Sequence, residues 1–208
     1  YGYYLVSYYA WLAKCNFPIS DDLQALYGDN DWRLTHFFYK RRAVYTAQKS
    51  ETSGTTGIYG YAFRTAEAYL NRAEAYAGKG DKDKALQDLK TIREKRLKVY
   101  EEVQAVTKED VIRRVREERR RELSFEFHRW FDLRRYAVCE KYPYSKQIRH
   151  AFNVYDGNKY EWDHTDIYVL EKNDPAYVMQ IPKSVLEYDE EQMPENPRNK
   201  RSPLGDDE

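Results

Sequence analysis

The stretch Glu117–Arg135, EERRRELSFEFHRWFDLRR, constrains the fold of this chain more than any other. It places carboxylates at Glu118, Glu122 and Glu126, one helical turn apart, and Val111 and Val115 open the same stripe upstream. Residues four apart share a helix face. A stripe that starts apolar and turns acidic without losing register points carboxylates into a packed interior. Such carboxylates need partners, and arginine, with its planar fork of donors, supplies them best. Arg64, Arg72, Arg93 and Arg129 are the expected partners. The helix therefore reads as the scaffold of a fold rather than a catalytic centre.

Two chemical readings of the same residues fail on geometry. A glycosidase needs two carboxyl groups flanking the scissile bond, roughly 5–10 Å apart. Glu118 and Glu122 project side by side from one helix face and leave no room for a sugar. A nucleic-acid helix needs one continuous basic face, whereas acids interleave with the six arginines between Arg113 and Glu122. Over the whole chain, 35 basic residues balance 35 acidic ones. No general drive toward polyanions remains.

Along the chain, Tyr3–Ala13 reads as a buried helix. Ser20-Asp21-Asp22 offers the N-cap of a short helix through Leu26. Lys40–Gly60 is polar and glycine-bearing, and SETSGTTG (Ser50–Gly57) reads as an exposed, mobile loop. A helix is expected over Tyr61–Lys79, closed by Gly80, and a second over Lys82–Arg96, capped by Asp81. Ala73, Tyr76, Gly80 and Ala85 stand at tetratricopeptide-like spacing. Thr107–Asp110 resembles a capping box, and the helix behind it is expected to run to about Tyr136. Beyond Pro143 the pattern breaks, with Ile167–Leu170 and Tyr177–Ile181 as the strand candidates.

No clustered His/Cys set, HExxH, phosphate loop or GxSxG elbow occurs, so no catalytic residue, metal or cofactor is assigned and no enzyme is expected. His128 and Asp132, four apart, are a candidate hydrogen-bonded pair. Cys15 and Cys139 match no metal or redox spacing. The 21 tyrosines are the compositional outlier. Aromatic rings outside the amphipathic stripes are candidates for stacking on sugars. Trp32, Tyr39, Tyr45, Tyr59, Tyr160 and Trp162 meet that condition, and Asn30 is a polar neighbour of Trp32.

The Glu117–Arg135 stretch also resembles the ERRxELxFExxRWFDLRR signature of the SusD/RagB family. RTAEAYLNRAEAYAGKGDKDKALQDLKTIREKR (Arg64–Arg96), LQALYGDNDWR (Leu23–Arg33) and YVMQIPKSVLEYDEEQMPENP (Tyr177–Pro197) resemble three further family segments. Phe127 stands where the family usually has Gly, and Glu195 where it usually has Gln. The resemblance implies a mostly α, SusD-like fold, with tetratricopeptide-like helix pairs, irregular loops and a few short strands. It implies that residues 1–208 are the C-terminal portion of one such domain: a helix pair at about 61–97, a signature helix at about 107–136 and an irregular region at 143–208. The chain opens as if inside a helix, with no leader and no lipid-attachment cysteine near residue 1, so export signal and lipid anchor are expected in a preceding segment.

The function implied is capture of oligosaccharide by a surface lipoprotein of the Bacteroidetes outer membrane, and delivery to a SusC-like TonB-dependent transporter. The alternatives are a peptide-capturing lid of the RagB type and a helical-repeat scaffold for protein partners. No binding residue transfers by motif.

Overall fold

The computed structural model describes residues 19–41, 44–47, 64–155, 162–189, 193–196, 198 and 202–204. The helix expected over Tyr3–Ala13, the loop expected over Ser50–Gly57, and Cys15, Tyr59 and Tyr160 lie outside these residues. Two compact units meet in sequence at Arg129/Trp130.

In the first unit, α1 (Asp21–Gln24) and α2 (Arg33–His36) precede an antiparallel hairpin of β1 (Phe38–Arg41) and β2 (Val44–Ala47). Three longer helices follow: α3 (Thr65–Lys79), α4 (Lys82–Arg93) and α5 (Lys108–Glu122). The hairpin runs into the polar Lys40–Gly60 span, for which no strand was expected. It forms because Ile19, Leu23, Tyr27 and Phe38 bury together and Tyr45 packs against them, while the Ile19 amide donates to the Tyr45 carbonyl at 2.9 Å.

The helical layer obeys its sequence stripes. Leu70, Ala73 and Ala77 of α3 bury against Ala85, Leu89 and Ile92 of α4 and against Val111 and Val115 of α5. The small alanines let the helix backbones approach closely. Gly80 ends α3 in the left-handed region at φ 86°, where a side chain would be strained. The Asp81 amide then reaches the Tyr76 carbonyl and the Gly80 amide the Ala77 carbonyl, a Schellman closure. Asp81 in turn caps α4 by accepting from the Lys84 amide. Thr107 and Asp110 form a reciprocal capping box at the start of α5.

The helix expected to run unbroken to Tyr136 is two helices. It stops at Glu122 and resumes as α6 (His128–Ala137). Long-range donors take the carbonyls that a continuing helix would use. The Tyr27 hydroxyl donates to the Arg121 carbonyl at 2.7 Å, and the Arg64 guanidinium to the Glu122 carbonyl at 2.9 Å. Phe125 and Phe127 then turn the chain at φ 60° and 64°.

The second unit comprises the rest of α6, an antiparallel hairpin of β3 (Ile148–Tyr155) and β4 (Trp162–Leu170), a 3-10 turn (Pro175–Tyr177) and α7 (Lys183–Tyr188). β4 contains the expected strand Ile167–Leu170 and extends well upstream of it. Tyr177–Ile181 is not a strand. Asp174 caps the 3-10 turn by accepting from the Ala176 amide, and Tyr177 is held by two side-chain contacts. Its ring lies 4.9 Å from Trp130, and its hydroxyl donates to the Lys146 carbonyl. Leu133, Tyr136, Tyr142, Ala176 and Leu186 are buried in this unit. Among the described residues no helix is long and apolar enough to cross a membrane.

Phe127 carries left-handed backbone with a half-exposed ring. Left-handed geometry costs an L-residue roughly 1–2 kcal/mol, and glycine escapes it. Phe127→Gly is therefore expected to raise unfolding stability by about 1 kcal/mol, after its greater unfolded-state entropy is subtracted. Urea denaturation checks this. A clear loss of stability would mean that the Phe127 ring contributes more than its backbone costs.

Candidate functional site

A cluster of buried ions organises the first unit. At its centre is Arg33, 1% exposed. Four of its five N–H groups are engaged. Nε and Nη2 grip Asp31 at 2.9 and 2.8 Å, and Nη1 donates to Glu118 at 2.7 Å and Glu122 at 3.0 Å. Both glutamates are fully buried. Glu118 also accepts from Arg93 at 3.1 Å and from Arg121 at 2.7 Å. Glu122 accepts from Arg64 at 3.0 Å and from both ends of the Arg96 fork at 2.9 Å. Arg64 spans the helix break to reach Glu126.

Of the arginines expected from sequence, Arg64 and Arg93 meet the glutamates. Arg72 instead makes a two-pronged pair with Asp88, joining α3 to α4. Arg129 is half-buried near the start of α6. Arg33, Arg96 and Arg121 were missed as partners. Arg121 is three residues from Glu118 on one helix. Arg33 stands in the Asp31-x-Arg33 portion of the Leu23–Arg33 motif, which offered the one signal for it. His128 does not pair with Asp132. Its Nδ1 lies 3.4 Å from Arg119 and 3.7 Å from Glu67, while Asp132 accepts from Arg135 at 2.9 Å.

This chemistry holds protons rather than moving them. Burial alone would raise the Glu118 carboxyl, but Arg33, Arg121 and Arg93 outweigh it and hold the group well below its ordinary 4.5. Glu122 is likewise lowered against burial, by Arg96, Arg33 and Arg64. Burial would lower Arg33, but Glu118, Asp31 and Glu122 raise it. Burial pushes the nearby Tyr27 hydroxyl up to about 12. A carboxyl that stays ionised has no proton to give and is not a general acid.

Above this cluster lies an exposed aromatic. Trp32 is 48% exposed, although the residues on either side of it, Asp31 and Arg33, are buried. Its amide donates to the Arg96 carbonyl at 2.9 Å, and the Lys98 amide donates to the Asn30 carbonyl at 2.8 Å. The Asn30 side chain completes the clamp, accepting from the Val99 amide and donating to the Val99 carbonyl and Glu101. Asn30, a ligand candidate by sequence, is thus engaged in holding two chain segments together. Around the indole stand the His36 ring, edge-on at 6.0 Å, and the Lys98 ammonium, 5.3 Å from the ring centre. Lys98 is far from Trp32 in sequence, and no pattern joins them.

Tyr39 pairs with Thr46 in the β1–β2 ladder. Tyr45 packs on the small hydrophobic cluster with the Lys40 ammonium 5.1 Å from its ring. Trp162, expected in a polar loop, pairs with Tyr155 in the β3–β4 ladder. A cleft of about 320 Å³ beside the ion cluster mixes both signs of charge, with Arg93, Arg114 and Arg121 facing Asp31, Glu101 and Glu102. Among the described residues no group of His, Cys, Asp and Glu is placed to hold a metal ion.

The family model for the SusD family matches residues 15–198, and the chain belongs to that family. No curated protein sequence matches it. The mostly helical architecture is that of a SusD-like protein, and membership implies nutrient binding at the cell surface.

Removing one member of a buried ion pair leaves an uncompensated charge and costs about 3–5 kcal/mol. Glu122→Ala is expected to destabilise by that order in urea titration. A loss below about 1 kcal/mol, the range of exposed pairs, would contradict the burial argument. The lowered folded-state pKa values of Glu118 and Glu122 also fix a sign. Their contribution is complete above their ordinary value of 4.5 and is lost as pH falls below it toward the folded values. Stability should therefore fall more steeply below that pH in the wild type than in Glu118→Gln, measured as urea midpoints across pH.

Proposed function

We propose that this protein captures oligosaccharide at the bacterial outer-membrane surface and passes it to a SusC-like TonB-dependent transporter, binding without making or breaking a bond. The observation that carries the sugar-binding part is Trp32. It is a large, half-exposed ring on a mount fixed by backbone hydrogen bonds and by the buried Arg33 beside it. Sugar rings present C–H faces that stack on such a surface, and a preformed platform avoids the entropy of ordering one. Lys98 stands beside the indole as a donor to hydroxyl or carboxylate groups, and His36, whose Nδ1 donates to the Trp32 carbonyl, keeps Nε2 to accept from a hydroxyl. Surface anchoring and the transporter partnership rest on family membership.

Calorimetric titration with a panel of plant, host and microbial oligosaccharides, and with a peptide mixture as control, tests this reading. One glycan is expected to bind, and Trp32→Ala to weaken it about tenfold, the worth of one aromatic stack. The same substitution should shift unfolding stability by no more than about 0.5 kcal/mol, as exposed positions do. Unchanged affinity in Trp32→Ala would remove the platform from the site. Binding of peptide alone would favour the peptide-capturing branch.

A further inference from the structure

The cleft of about 320 Å³ in the first unit is bounded by the end of α4, by α5, by residues 97–104 between them and by the Leu26–Asp31 segment. Toward the core its acids are already matched. Asp31 is held by Arg33, and Glu118 is shared among Arg33, Arg93 and Arg121. Arg121 is matched as well, with Nε and Nη2 on Glu118 and Nη1 on the Leu26 carbonyl.

The other two arginines of the lining are not. Arg93 donates from Nη1 alone, to Glu118 at 3.1 Å, and Arg114 from Nη1 alone, to Glu117 at 3.1 Å. A guanidinium carries five N–H donors. The Nε of both is closed off from water and meets no acceptor among the described residues. Both Nη2 groups also lack an acceptor there, but they are not closed off. The two side chains are only 14% and 38% exposed, so water compensates these donors in part. Enclosed donors without acceptors are rare and costly in a folded chain. Two of them on one cleft mark a place where acceptors are to be supplied.

The rim has the opposite character. Glu101, Glu102 and Gln104 are exposed. Glu101 accepts from Asn30 through one oxygen, while Glu102 and Gln104 make no hydrogen bond to the described residues. A ligand that fits both parts carries an anion inward and hydroxyl donors outward. A carboxylate or sulfate offers several oxygens to paired guanidiniums, and carboxylates accept from sugar hydroxyls. The exposed glutamates are screened by water and salt more than the enclosed arginines, so attraction of the anion outweighs repulsion at the rim. The volume suits one sugar unit rather than a long chain.

We infer that this cleft binds an acidic sugar unit, its carboxylate or sulfate against Arg93 and Arg114 and its hydroxyls toward Glu101, Glu102 and Gln104. The inference rests on the oligosaccharide reading for the class of ligand, and adds to it a preference for acidic glycans.

The test is calorimetric titration of the full chain with glucuronate, glucose 6-sulfate, glucose and acetate. Glucuronate or glucose 6-sulfate should bind in the millimolar range, and whichever binds more tightly identifies the anion. Glucose and acetate should each bind about tenfold more weakly or worse, and affinity for the acidic sugar should fall as salt is raised. Arg114→Gln should weaken the acidic sugar about tenfold or more. Arg113→Gln removes the same charge one residue away at a half-exposed position outside the cleft, and should leave binding unchanged. Circular dichroism melts serve as the folding control. As a measurement that needs no variant, amide shifts on titration should centre on Leu97 and Val103 of the lining. Equal loss in both variants would reduce the effect to overall charge and overturn the inference. Acetate as tight as glucuronate, wild-type affinity in Arg114→Gln, or amide shifts that leave Leu97 and Val103 unmoved would overturn it too. Binding of neutral oligosaccharides with no binding of either acidic sugar would overturn it while leaving the capture reading intact. The capture reading fails separately, when no oligosaccharide of the panel binds.

Discussion

The first unit depends on one buried cation. Arg33 is removed from water with its charge, and such a charge costs several kcal/mol unless it is matched. Asp31 from its own segment and Glu118 and Glu122 from α5 match it. Each glutamate then needs more cation than Arg33 provides, which brings in Arg93 and Arg121 on one side and Arg64 and Arg96 on the other. The result links the short segment before β1 to α3, α4 and α5 through charge-assisted hydrogen bonds of fixed geometry. Well-packed apolar residues in the same place often give equal or greater stability. What the ions add is register. A planar fork matched to three carboxylates admits one arrangement of the chain segments that carry them.

That register reaches the surface. Arg33 and Asp31 are buried, yet Trp32 between them faces solvent, because a clamp to residues 96–99 leaves the intervening side chain no inward direction. The ring is presented by the same bonds that close the core. The carboxylates of the family signature therefore fix where the Trp32 ring stands.

Periodic features were legible in the sequence. The α3–α4 pair, the Gly80 and Asp81 punctuation, the capping box at Thr107 and the inward carboxylates of α5 all follow from spacing along one element. Features that depend on distant residues were not. The break after Glu122 has no glycine or proline to announce it. It exists because Tyr27 and Arg64, far away in sequence, capture the terminal carbonyls. The β1–β2 hairpin was hidden by a polar composition, and Phe38 and Tyr45 close it on Ile19 and Leu23. Tyr177 looked like a strand residue, whereas stacking on Trp130 holds it in a turn. Of the candidate binding residues, Trp32 kept its exposure, but Asn30 proved to be part of the clamp and Lys98 and His36 had no sequence signal at all.

The most direct measurement is amide hydrogen exchange on an Arg33→Met chain, in which Glu118 and Glu122 each keep two arginine partners. If the buried cation sets the mount of the exposed ring, the Trp32 and Lys98 amides should lose protection, while amides inside α3 and α4, such as those of Leu70 and Leu89, keep theirs. Wild-type protection at Trp32 and Lys98 in that variant would mean that the clamp stands by itself, and that the ion cluster and the surface platform are separate constructions.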